Sequence, residues 1–226
     1  MNIRKTPLAA AVTVAVMCFG AGNATAVTVA PGTTVALPGT TAAAEPYLAG
    51  TVLVDADVNF SFAAGPSLAD LTTGTVQERV VREAGTGTLD FYWRITELTG
   101  TSLSAFRLGN FNSAVFDANY RIDGLGDVGP SSIRRFGSNY ANFLFTSPTG
   151  GPSLTPGQDS LLFFLHTDAT NYAKTGMFDV TTGSANSALF ATFAPAVPEP
   201  ETYAMMLAGL GLVGAMARRR KTQQPG

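Results

Sequence analysis

Four side chains between residues 117 and 127 are the first candidates for chemistry. Asp117, Asn119, Asp123 and Asp127 fall close together, with Gly124 and Gly126 among them. Oxygen donors on a glycine-bearing loop suit a hard cation such as calcium. Their spacing does not follow an EF-hand loop, and Asp is common in turns because it bonds its own backbone. The expectation is no metal, with these four residues as the calcium alternative.

His166 is the only histidine. Thr167 and Asp168 follow it, but no Gly-x-Ser-x-Gly elbow occurs to supply a serine nucleophile. Its ordinary role is a strand-end histidine bonded to a loop backbone. Cys18 is the only cysteine and lies in the N-terminal leader. A zinc site built from histidines and cysteines is therefore excluded in the mature chain. Asp55 and Asp57 share the polar face of one strand and read as solvated. A carboxylate pair for glycoside hydrolysis cannot be singled out by spacing. No catalytic residue and no cofactor are expected.

The elements that position these residues are strands. Val52, Val54, Ala56, Val58, Phe60 and Phe62 alternate with more polar neighbours, the period of a half-buried strand. Gly65 to Gly74 reads as a loop, within which Pro66 to Thr72 could form one helical turn. Thr75 to Glu83 and Thr88 to Glu97 flank Ala84-Gly85-Thr86-Gly87 and predict a hairpin. In its second strand Leu89, Phe91, Trp93 and Ile95 share one face; Asp90, Tyr92 and Arg94 share the other. Trp93 is expected in the core, because its same-face neighbours are all apolar.

Shorter strands are predicted over Ala105–Leu108, Tyr120–Ile122, Ile133–Phe136, Asn142–Phe145, Met177–Thr181 and Ala188–Phe193. Leu161–Leu165 is continuously apolar and predicts a central strand covered on both faces. Many short strands separated by turn signals predict an all-β fold, an antiparallel β-sandwich.

Both ends of the chain read as addresses. Arg4 and Lys5 precede an apolar run, and Ala24-Thr25-Ala26 has the small-x-small pattern of a signal-peptidase site. Residues 1–26 are thus a secretory signal peptide cut after Ala26. Ala15-Val16-Met17 before Cys18 lacks the pattern of a lipoprotein signal. Residues 27–50, rich in Thr, Ala, Gly and Pro, read as a flexible leader. Residues 51–194 are the sandwich body. Residues 195–226 are a tether, a motif, an apolar helix and a basic tail. Residues 27–197 hold 8 basic and 14 acidic residues, so nucleic acid is a poor partner.

In the tail, Pro198 and Pro200 bracket Glu199 and enforce an extended, non-helical stretch. Tyr203 to Ala217 carries no charge. As a helix it would span about 22 Å, short against the roughly 30 Å of a bilayer core. Arg218, Arg219, Arg220 and Lys221 follow at once and should stay on the cytoplasmic side, leaving the body outside. Pro-Glu-Pro, a short Gly/Ala/Leu-rich helix and an Arg cluster in this order resemble the PEP-CTERM sorting signal of Gram-negative bacteria that make extracellular polysaccharide. That resemblance implies a short C-terminal transmembrane helix and transient residence in the inner membrane. It also implies recognition by an exosortase, a membrane-embedded cysteine protease or transpeptidase.

On this reading Pro198, Glu199 and Pro200 are a processing motif, and signal peptidase is the second processing enzyme. Gly85 to Arg94, Phe106-Arg107-Leu108, Tyr120 to Gly126 and Phe163 to Ala169 are similar to stretches of uncharacterised cargo bearing this signal. The cargo resemblance carries no known activity; the two signals and the absence of a catalytic set lead to the expectation of an exported surface or matrix protein that is not an enzyme, with extracellular polysaccharide of a biofilm as a candidate partner. The alternatives are a secreted carbohydrate-active enzyme and a calcium-dependent adhesive module.

Overall fold

A computed structural model describes residues 25–65, 71–113, 115–145, 154–196 and 205–213. In chain order the strands are β1 (Val27–Thr28), β2 (Thr34–Ala36), β3 (Thr51–Ala63), β4 (Leu71–Arg82), β5 (Leu89–Thr99) and β6 (Ala105–Gly109). They continue as β7 (Asp117–Tyr120), β8 (Ser132–Phe136), β9 (Tyr140–Leu144), β10 (Phe163–His166), β11 (Tyr172–Thr181) and β12 (Phe190–Pro195). The first sheet runs β1-β7-β10-β5-β4-β3 and the second β12-β11-β6-β9-β8-β2. Every strand pairing within them is antiparallel. The all-β, two-sheet architecture expected from the strand pattern is the one observed.

Alternation explains which faces meet. Phe91, Trp93 and Ile95 of β5 and Phe163 and Leu165 of β10 face Phe106, Phe143 and Phe178 of the second sheet in one continuous core. Trp93 sits among Phe106, Phe111, Phe143 and Phe163, with ring centroids 5.6 to 6.3 Å away. Its indole N–H donates to Thr192 Oγ1 of β12 at 3.0 Å, satisfying a polar group that burial would otherwise orphan. That bond ties the interior of the first sheet to the edge strand of the second. The apolar run at β10 lies between β7 and β5, and Phe163, Phe164 and Leu165 are all fully buried, as predicted for a central strand.

Several expectations need correction. Residues 27–50 are not a free leader. β1 pairs with β7, β2 pairs with β8, and Val29, Leu37 and Leu48 are buried. The apolar side chains spaced through this Thr/Ala/Gly-rich stretch are enough to anchor it. Leu48 and Tyr47, from a 3-10 turn at Pro46–Leu48, pack with Val81, Tyr92 and Phe164 on the outer face of the first sheet. That face was expected to be polar, yet Asp90 and Tyr92 are buried on it.

Leu71–Gly74 extends β4 rather than forming loop, pairing as far as Ala63↔Leu71. Of the predicted turn at Pro66 to Thr72, residues 66–70 lie outside the described residues. The strand placed at Tyr120–Ile122 is shifted to Asp117–Tyr120, with Ile122 exposed. The tether does not begin at residue 195: Pro195 ends β12, and Ala196 N–H donates to the Asn171 carbonyl. A proline fits there because β12 is an edge strand. Beyond it, residues 205–213 form an exposed helix. No helix among the described residues is long and apolar enough to cross a membrane.

Candidate functional site

The calcium alternative is divided by the fold. Asn119 Oδ1 accepts from Gly39 N–H at 2.8 Å and Tyr120 N–H at 3.0 Å. Asp123 is held by the Arg121 fork and by Ala42 N–H. Asp127 Oδ2 accepts from Asp159 N–H at 2.9 Å. Each of these three caps its own piece of backbone or pairs with an arginine, and only Asp117 points elsewhere. Of the signal-peptidase residues, Ala24 lies outside the described residues. Ala26 donates its N–H to Glu45 Oε1 at 2.6 Å.

Asp117 belongs to a constellation that sequence spacing did not suggest. Register puts Asp117 of β7 opposite His166 of β10, and His166 opposite Asp90 of β5. Three strands thus carry an Asp–His–Asp row on the outer face of the first sheet. Glu83, just past β4, closes on the same histidine. His166 Nδ1 lies 2.9 Å from Asp90 Oδ1 and 2.7 Å from Glu83 Oε1. Its partners are therefore buried carboxylates, not the loop backbone expected.

Burial pushes the Asp90 carboxyl up to about 6, against the opposing pull of the histidine bond. That hydrogen bond to Asp90 raises the His166 imidazole above its ordinary value. Tyr47 covers the row, its ring centroid 5.2 Å from that of His166, and donates its O–H to Glu45 at 2.6 Å. Burial and the adjacent Glu45 push the Tyr47 phenol well above its ordinary range.

A second site lies on the outer face of the second sheet, where an open groove of about 400 Å³ crosses β11, β6, β9 and β8. Register again explains it. Asp179, Arg107, Asn142 and Arg134 are successive cross-strand partners and form one polar row. Two residues further along, Met177 pairs with Gly109 and Tyr140 with Phe136, giving an apolar row. Tyr140 and Phe136, the pair that closes the β8–β9 hairpin, are 50% and 41% exposed.

Arg107 grips Asp179 with two charge-assisted bonds, Nε to Oδ1 at 2.6 Å and a second nitrogen to Oδ2. This fork lifts the guanidinium above its already high range. Gly109 leaves the floor open, since a Cβ there would sit 3.0 Å from Tyr140 Cε1. Sequence reading placed Arg107 and Asn142 on strands, started the latter strand after Tyr140, and missed the groove. The alternating pattern marks outward residues without saying which strands lie side by side.

Architecture and ends together define a class: a two-sheet β body followed directly by a segment with the order Pro-Glu-Pro, apolar run, basic cluster. Residues 196–221 match the PEP-CTERM protein-sorting motif, so the resemblance drawn from Pro198, Glu199, Pro200 and the Arg218–Lys221 cluster is supported over that segment. Those seven residues lie outside the described ones. Neither a curated protein nor a solved structure matches the chain. The motif implies export and sorting to the cell surface or extracellular space, with processing by an exosortase.

Proposed function

We propose that this protein is an exported, exosortase-processed surface or matrix protein whose sandwich binds polysaccharide through the groove of its second sheet, without catalysing a reaction. The observation that carries the binding reading is the paired rows. Sugar rings present C–H faces that pack on exposed aromatic and thioether surfaces, and hydroxyls at their edges that bond planar polar groups. Tyr140, Phe136 and Met177 offer the first kind of surface; Arg107, Asn142 and Asp179 offer the second. The volume falls within the range of small-molecule sites, and its open shape suits a chain that extends beyond it.

Hydrolysis is less well supported at this groove. A glycosidase uses two carboxyl groups, whereas Asp179 is the only acid along its lining among the described residues and is locked by Arg107.

The test is affinity electrophoresis of the exported protein in gels containing the producer's own polysaccharide. Tyr140→Ala should weaken retention about tenfold, since an aromatic contact contributes about 0.5–1.5 kcal/mol beyond the area it buries. Tyr140 is exposed, so the melting temperature should barely move. Equal retention of the wild type and the variant would reject the groove as the binding surface.

For sorting, the mature C-terminus should be read by mass spectrometry. The native chain should end before Arg218. A variant with Pro198→Ala and Pro200→Ala should accumulate with its tail intact. A native exported chain still ending at Gly226 would contradict processing.

A further inference from the structure

We propose that Glu83, Asp90 and His166 bind a divalent first-row transition cation, such as zinc, on the outer face of the first sheet beneath the Glu45–Tyr47 segment. Among the described residues they are the one group of three acids or histidines whose donor atoms all lie within 4.8 Å of one another. The argument rests on a shortage of hydrogens. Nδ1 of an imidazole carries at most one, so it can serve only one of the two carboxylate oxygens beside it, Asp90 Oδ1 and Glu83 Oε1. Glu83 Oε1 lies 2.7 Å from the same nitrogen yet has no hydrogen-bond partner, and Glu83 is only 2% exposed.

Glu83 Oε2 is taken by Thr86 Oγ1, so the carboxylate is fixed with its free oxygen aimed into the cluster. Across the row, Asp117 Oδ1 is a second buried oxygen without a partner. Two buried carboxylates facing one imidazole leave uncompensated negative charge in a poorly solvated place, which is costly unless a cation joins them.

The geometry needs a small adjustment, and the donor type fits. Tetrahedral metal–donor bonds of about 2.0–2.2 Å put neighbouring donors about 3.4 Å apart. The two Nδ1–oxygen separations are 2.7 and 2.9 Å, so the three donors must open by roughly half an ångström to admit the ion. One imidazole with two carboxylates favours zinc and its neighbours over calcium or magnesium, which prefer all-oxygen cages. The His166 side chain is 22% exposed, which leaves an entry path and room for water as a further ligand. The site is separate from the groove, and its failure would leave the polysaccharide reading untouched.

The experiment uses the exported protein, without a histidine tag, stripped with a chelator and dialysed against zinc, manganese or calcium. About one zinc per chain is expected, with a melting temperature that rises with free zinc. His166→Gln should lower zinc affinity at least ~100-fold, and circular dichroism must show that this variant is folded.

Because the chain has one histidine, its imidazole nitrogen resonances report on the site without any substitution. Zinc should move them in the wild type even if the variant does not fold. The proposal is overturned if no zinc binds at about 1 mM, the weak end for extracellular sites. It is equally overturned if zinc binds while the imidazole resonances stay in place, or if folded His166→Gln binds as tightly as the wild type.

Discussion

A chain shortened to begin at Gly50 should fail to form a cooperatively folded body, although the deleted stretch reads as a linker. Deletion removes β1 and β2 and strips Val29, Leu37 and Leu48 from buried positions. Three such side chains represent about 1.5–3 kcal/mol each. The same cut orphans groups left behind. Asn119 loses the Gly39 amide, and Arg135, 6% exposed and stacked over Phe116, loses the Val29 carbonyl from its Nη1. Each stranded buried polar group costs about 1–3 kcal/mol more. The total rivals the whole stability of an ordinary domain, about 5–15 kcal/mol. Thermal melts followed by near-ultraviolet circular dichroism decide the matter. A sharp transition within a few degrees of the intact protein would show that residues 27–50 are dispensable.

Trp93→Ala is the single substitution with the largest expected effect. It empties a fully buried site bordered by four phenylalanines and deletes the bond to Thr192. Truncating a buried aromatic costs about 3–5 kcal/mol, and the stranded threonine hydroxyl adds to it. Thr192→Val separates the two contributions. It keeps the shape and leaves the indole N–H unpaired, so about 1–3 kcal/mol is expected from that change alone. Urea denaturation of both variants measures these differences. A loss below about 1 kcal/mol for Trp93→Ala would mean that the indole is not the centre of the packing described.

The contrast between these cases shows what the chain discloses before it is folded. The face shared by Leu89, Phe91, Trp93 and Ile95 follows from alternation, a local property, and so was legible. So was β10, because an unbroken apolar run has few alternatives. Residues 27–50 misled because small residues and prolines dominate their composition, while the few side chains that matter are isolated. Val29 and Leu37 carry no period; only their distant partners, Phe116 and Ser131 at the entries to β7 and β8, give them a place.

The two candidate sites were hidden for the same reason. Asp117, Asp90 and His166 are adjacent only once β7, β10 and β5 are ordered in the sheet. The Arg107–Asp179 pair likewise spans the chain from β6 to β11. Strand order is long-range information, and periodicity does not hold it. The sorting signal was readable because its parts are contiguous and act as a linear sequence.

β12 is the last strand in chain order among the described residues, and its backbone ladder is with β11 alone. Any pull on the tail reaches the body at Pro195. A pull directed away from the sheet breaks that ladder bond by bond, as a zip opens, rather than shearing all the bonds together. The strand that peels carries Thr192, so once the Pro195 and Ala194 pairs have opened the next step also unlatches Trp93.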